Sequence, residues 1–344
     1  MKYIIMNKIV DNKCIELLSP AGSFECAKAA LLSGADAIYM GGDRFSARAF
    51  AKSATEEKLI DSIKFVKDNG KRFYLTVNTL FKQKELKEIF LFLDPLVEYG
   101  VDAFIIQDLG VAMLLKNRYK NVELHASTQM TITSSKAVNL VKSLGFKQVV
   151  LARELSLKEI KAIKKEVGDD IKLEVFIHGS MCYSYSGACL MSSFIGGESG
   201  NRGRCKGPCR LPYKYIDNYT STNSRNRVRK KMNETAPYIL SMKDMCALDS
   251  LQRLIDAGVS SFKIEGRMRK ADYVAGVTKT YRKYIDSIVE MSTATKEFVG
   301  ANYVSPINIE RDEKYLLELY DKGGFTNYYD KHNGIDMIQR FERK

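Results

Sequence analysis

The chain has 344 residues, 45% hydrophobic and 28% charged, which is enough to bury a large core. It has no apolar run of about 18 residues, and the apolar part of its N-terminal MKYIIMNKIVDNKC is short and interrupted by charge, so neither a membrane span nor a secretory signal is expected and the protein reads as cytoplasmic. A net charge of +13 suits a polyanionic partner such as RNA, or a plain basic enzyme.

Residues 1–13 read as an N-terminal extension. A repeat then organises the chain: a helical pattern ends in glycine, and a short apolar strand follows. This occurs at Gly34, Gly70, Gly100, Gly145 and Gly258. The spacing predicts strands at about 15–19, 36–41, 72–78, 102–107, 122–127, 148–152, 172–178 and 261–265. Amphipathic stretches lie between them, such as KELKEIFLFLDPLVEY at 84–99. Strands that alternate with helices imply parallel pairing. Eight such units predict an α/β fold, a (β/α)8 TIM-like barrel over 14–292, with an open doubly wound sheet as the alternative.

One connection breaks the rhythm. A Cys-rich insertion, 179–243, follows strand seven at the C-terminal end of the strands, where barrel enzymes place their sites. Its polar part, 217–237, carries Arg225, Arg227, Arg229, Lys230 and Lys231, and reads either as phosphate contacts or as a solvated loop. A helix is expected at 270–290. Residues 293–344 read as a C-terminal appendage.

The insertion holds Cys182, Cys189, Cys205 and Cys209, spaced C-x6-C, x15, C-x3-C. Without a secretory signal, metal or redox chemistry is a better reading than disulfides. Soft thiolates suit an iron–sulfur cluster or zinc, and spacing alone leaves both open. Cys246 is a reserve ligand. Cys14 and Cys26 read as small core residues.

Polar residues gather at the predicted strand ends. Arg44, Arg48, Arg153, Lys263 and Arg267 are candidates to hold a carboxylated or phosphorylated ligand. His178, His125 and Glu174 are the candidate acids and bases, His178 ranking above His125 because it precedes the turn into Cys182. H-E-x-x-H, G-x-S-x-G, P-loop and dinucleotide-binding glycine motifs are absent.

ELLSPAG at 16–22, GADAIYMGG at 34–42, HASTQ at 125–129, LARELSL at 151–157, EVFIHGSMCYSYSGACLMS at 174–192, NRGRCKGPCR at 201–210 and KIEGRM at 263–268 resemble the peptidase U32 family, also called collagenase-like. GGFTNYY at 323–329 is similar to a further family element. Despite the label, the resemblance implies oxygen-independent hydroxylases that act on a tRNA wobble uridine, an rRNA cytidine or a quinone precursor. It also implies a [4Fe–4S]-type cluster, prephenate as oxygen donor, and Cys182, Cys189, Cys205 and Cys209 as cluster ligands.

Of these substrates the basic charge favours RNA over a quinone precursor, and the tRNA wobble uridine is the foremost expectation. Many RNA-modifying members continue into a C-terminal β domain for which 344 residues leave no room, so a partner subunit or a homo-oligomer is expected to supply that surface. The rival readings are a U32-type protease and a non-catalytic RNA-binding scaffold whose insertion is held by zinc.

Overall fold

The computed structural model describes residues 9–10, 13–47, 54–213, 238–293, 307–327, 329 and 337–338. Arg48 and the basic cluster from Arg225 to Lys231 lie outside these residues, as does the side chain of Cys14.

Eight parallel strands close into a barrel. They are β1 (Glu16–Pro20), β2 (Ala37–Met40), β3 (Arg72–Val77), β4 (Ala103–Ile106), β5 (Glu123–Ala126), β6 (Gln148–Val150), β7 (Lys172–Ser180) and β8 (Ser261–Ile264). Closure falls at β8, which pairs with β7 on one side and β1 on the other. Helices α1 (Phe24–Leu32), α2 (Glu56–Asp68), α3 (Ile89–Glu98), α4 (Leu109–Arg118), α5 (Ser135–Ser143) and α6 (Leu157–Val167) cover the outside. The glycines that mark the repeat all have positive φ, the conformation that ends a helix without a steric penalty.

Local signals agree with the topology. Ser23 accepts from the Cys26 amide at 3.3 Å and starts α1. Asp108 accepts from Val111 N at 3.0 Å to start α4 and from Phe81 N at 3.1 Å, so this strand-end carboxylate holds backbone. Ser156 and Glu159 form a capping box on α6.

Strand faces divide by alternation. Leu17, Ile38, Phe73, Leu75, Phe104 and Ile106 face the helices, while Leu18, Tyr39, Tyr74 and Ile105 cluster inside the barrel with Ala37 and Ala103.

The lower barrel interior is polar and paired. Arg72 bonds Glu123 at 2.9 Å and lies 3.5 Å from Glu16, which accepts from Tyr74 OH at 2.5 Å. Ser261 Oγ lies 2.9 Å from Glu16 and 3.0 Å from Glu174. Above it, Lys263 Nζ lies 2.7 Å from Glu174 Oε1, and both side chains are almost fully buried. Burial pushes the Lys263 ammonium below its ordinary value, and the Glu174 carboxylate opposes that shift.

Between β7 and β8 the chain adds α7 (Met191–Gly196), a short strand Asp244–Cys246 antiparallel to the end of β7, and α8 (Leu251–Asp256). After β8, α9 (Ala271–Thr293) packs along α1, and α10 (Ile309–Leu319) packs on α9. The described part of the stretch read as an appendage is joined to the barrel. Phe325–Thr326 pairs with Asp244–Cys246, Lys322 is buried beside Asp244, and Tyr329 OH donates to Phe176 O at 2.5 Å.

Removing one partner of the Lys263–Glu174 pair strands a buried charge. Glu174→Gln and Lys263→Met are each expected to lose about 3–5 kcal/mol in denaturant unfolding. The double variant should lose less than either single one.

Candidate active site at the barrel mouth

The strand ends deliver three cations to one pocket. Arg153, Lys263 and Arg267 line it with Tyr39, Thr76 and Phe176. Arg267 donates to Ser46 Oγ at 2.7 Å and Thr76 Oγ1 at 2.6 Å. Lys263 Nζ lies 4.5 Å from the Tyr39 ring centre, and the Arg153 guanidinium lies 5.1 Å from that of Phe176. Asn78, Ser127 and Gln129 add polar groups, and Glu265 the opposite charge. The enclosed space is about 60 Å³, room for one carboxylate group. Three cations beside hydroxyl donors make an anion-holding pocket.

The insertion sits over this pocket and is clamped at several points. Arg202 donates to Leu80 O and, at 2.5 Å, to Glu85. Ser186 donates from its amide to Glu154 at 3.0 Å, and its carbonyl accepts from Thr131. Gly187 has φ +78°, and a Cβ there would lie 2.1 Å from Gln129 O, so only glycine allows this approach. Arg210 holds the base of the loop through Met181 O, Met242 O at 2.9 Å and Ser241 Oγ at 3.1 Å.

The clamped loop carries the four thiols. Burial pushes the Cys209 thiol up, Arg210 opposes this, and the charges of Cys182, Cys205 and Cys189 add to the rise. Gly207 N lies 3.3 Å from Cys205 Sγ, and Arg153 Nη2 lies 3.5 Å from Cys182 Sγ. N–H donors aimed at sulfur suit thiolates, and four soft donors fit a thiolate-bound metal or cluster. Among the described residues no three His, Cys, Asp or Glu side chains converge on one metal position.

The structure gathers only some of the residues singled out in the sequence. Arg153, Lys263 and Arg267 share the mouth pocket. Glu174 lies below Lys263, inside the barrel. Arg44 turns away to an exposed pair with Glu88.

His178 leaves the mouth altogether. The register shifts between Lys263 and Ile264, so Phe176 stays in the pocket while His178 packs against Tyr273, Tyr281 and Phe325. His125 is sealed in the barrel, bonded to Glu123 at 2.9 Å and packed on Tyr74. Neither histidine is placed for acid–base work in the pocket. Cys246 is buried beside Tyr281 OH at 3.7 Å, and burial pushes its thiol up to about 12, so it stands apart from the insertion loop that carries the other four.

Tyr39 and Thr76 went unmarked. The period-two alternation of their strands, which puts both on the inner face, is the signal that would have found them. Arg202 and Arg210 looked like part of a cysteine motif. Their anchoring role depends on distant carbonyls that no local pattern shows.

A model described as peptidase family U32 matches residues 22–339. An uncharacterized protease of Methanocaldococcus jannaschii is 37% identical over 92% of this chain and 73% of its own length. The 23S rRNA 5-hydroxycytidine C2501 synthase of Escherichia coli is 40% identical over 82% of this chain, which spans only 41% of that relative. The tRNA hydroxylation protein P1 of Bacillus subtilis is 38% identical over 83% of this chain and 66% of its own length.

Burial lowers the pKa of His178 from 6.5 to about 4. As pH falls, the unfolded chain therefore binds this proton first. The stability that neutral His178 contributes is full above pH 6.5 and is lost as pH falls toward 4. Denaturant unfolding across that window should show a loss of about 3 kcal/mol that His178→Phe removes.

Proposed function

Because the chain belongs to the peptidase U32 family, we propose that it is an RNA hydroxylase that adds oxygen to a pyrimidine base, foremost the tRNA wobble uridine. One observation carries this reading: relatives 38% and 40% identical over more than four-fifths of the chain are named for hydroxylation of tRNA and rRNA. The barrel mouth and its thiol loop are consistent with it.

Cys182, Cys189, Cys205 and Cys209 would hold an iron–sulfur cluster of the four-thiolate kind. When bound, it supplies one-electron chemistry next to the pocket. Zinc is the lesser alternative, since structural zinc sites favour closer cysteine pairs than Cys182 and Cys189. Arg153, Lys263 and Arg267 would grip one carboxylate of a prephenate-like oxygen donor, with Thr76 and Ser127 hydroxyls beside it. The ligand body would then extend up toward the loop. Phosphates would meet exposed cations of the insertion such as Arg204. A chain working on tRNA would act in the cytoplasm, and no described helix is long and apolar enough to cross a membrane. A partner subunit or a second copy would extend the RNA surface.

The protease and collagenase names of two relatives are the rival. A cysteine–histidine hydrolase needs an imidazole beside a thiol at the pocket. His125 and His178 are both buried elsewhere, so neither serves.

The test is a nucleoside profile of total tRNA and rRNA from cells with and without the gene. Loss of 5-hydroxyuridine-type nucleosides from tRNA is expected, restored by the wild type but not by Cys182→Ala. Protein purified without oxygen should carry iron and sulfide. An unchanged profile, with gelatin cleavage by the pure protein, would overturn the reading in favour of the protease.

A further inference from the structure

An irregular step in β7 leaves two backbone carbonyls for other parts of the chain to satisfy. Pairing with β8 sets Lys263 opposite Phe176 and then Ile264 opposite His178, so Ile177 is the extra residue of a bulge. Along a strand the carbonyls alternate between the two neighbours. Leu173 O accepts from Ser260 N at 3.1 Å on the β8 side, and Glu174 O accepts from Leu151 N at 2.9 Å on the β6 side. Unbroken alternation would turn Ile177 O toward β8. His178 O takes that place instead and accepts from Glu265 N at 2.9 Å.

Phe176 O and Ile177 O therefore meet donors away from β8. Ile177 O accepts from Ala247 N at 3.0 Å and from Tyr281 OH at 2.8 Å. Phe176 O stands in a gap. Strand pairing on its side stops at Glu174, opposite the end of β6, and resumes at His178 with Asp244–Cys246. Tyr329, a buried residue 153 positions away, fills the gap and donates from its hydroxyl to Phe176 O at 2.5 Å. The neighbours of Tyr329 bring it there. Phe325–Thr326 pairs with Asp244–Cys246, Phe325 packs on His178 with ring centres 5.3 Å apart, and Asn327 Oδ1 accepts from Tyr329 N at 3.2 Å.

The side chain of Phe176 is in the mouth pocket. The Arg153 guanidinium lies 5.1 Å from its ring centre and Lys263 Nζ lies 5.6 Å from it, so two of the three pocket cations rest on this one ring. We propose that Tyr329 is a positioning residue of the mouth pocket. Its hydroxyl holds the Phe176 carbonyl at the bulge and so sets the ring beneath Arg153 and Lys263. This role rests on the anion reading of the pocket and deepens it, because the C-terminal segment then completes the pocket from behind. A tyrosine that only filled the core would be replaced by phenylalanine without effect on the pocket.

The experiment uses the full chain and malonate, a small dicarboxylate, titrated by calorimetry. Arg267→Gln, which removes a pocket cation, should abolish binding and so locate the malonate. Tyr329→Phe keeps the ring and removes the hydroxyl. It is expected to weaken malonate roughly 2- to 10-fold, up to the full contribution of one hydrogen bond. The Phe176 carbonyl gives a second readout. The chain has three Phe–Ile pairs, at 104–105, 176–177 and 194–195. Carbonyl-labelled phenylalanine with nitrogen-labelled isoleucine therefore isolates these carbonyls by nuclear magnetic resonance, and Phe176→Leu assigns the signal by deleting it. Tyr329→Phe should move the Phe176 signal.

A moved signal with unchanged malonate affinity overturns the proposal and leaves the hydroxyl a core contact, while the anion reading of the pocket stands. An unmoved signal overturns it as well, whatever the affinity. A wild-type chain that binds no malonate, or a chain that binds it equally after Arg267→Gln, overturns the anion reading and the proposal with it.

Discussion

The ion pair between Lys263 and Glu174 ties β8 to β7 where the barrel closes. β8 reaches the sheet only after the long insertion, and it must enter between β7 and β1 in one register. A slip of one residue would turn Lys263 out into the helix layer and Ile264 in toward the carboxylates. Both errors place groups where no partner exists. The desolvation cost of the pair thus works as a specification of register, with Ser261 bridging to Glu16 on β1 as a second fix. The mouth pocket inherits its shape from this seam, because Lys263 and Arg267 both come from β8 and its exit.

Above the seam the insertion behaves as a roof with defined footings. It is tied to the loops after β3, β5 and β6 through side chain–backbone and side chain–side chain bonds. A thiol set on a free loop would sample many geometries. Here Arg202, Ser186 and Arg210 fix the loop at separate points, and Cys182 lies beside Arg153. The Gly207 N–H meets Cys205 Sγ and the Arg153 guanidinium meets Cys182 Sγ, donors of the kind that surround metal-bound sulfur.

The barrel was legible because its signals are local and repeated. Helix-ending glycines mark five of the units, serine caps several of the helices, and all eight strands fall where the spacing predicts. Arg153, Lys263 and Arg267 were legible for the same reason, as charges placed directly after apolar runs. The orientation of His178 was not legible because it depends on an extra residue, Ile177, where β7 pairs with β8, a strand far away in sequence. Arg44 stands just past a strand like the others but finds Glu88, a partner brought close only by the fold. A cleft lined by Tyr183 and Tyr185 draws its walls from four separated segments, and the tyrosines alone look like ordinary residues of a cysteine motif.

Gly187 separates what can vary in this roof from what cannot. Its close approach to the Gln129 carbonyl tolerates no added methyl group, so any side chain there would lift the loop off its footing. Beyond it, Leu190, Phe194 and Ile195 are exposed, whereas Ser192 is buried beside Cys205 and Arg202 is a footing in its own right. Exchanging those three exposed side chains would leave the loop seated over the barrel. The outer surface of the roof can therefore vary at these positions while its anchors stay fixed.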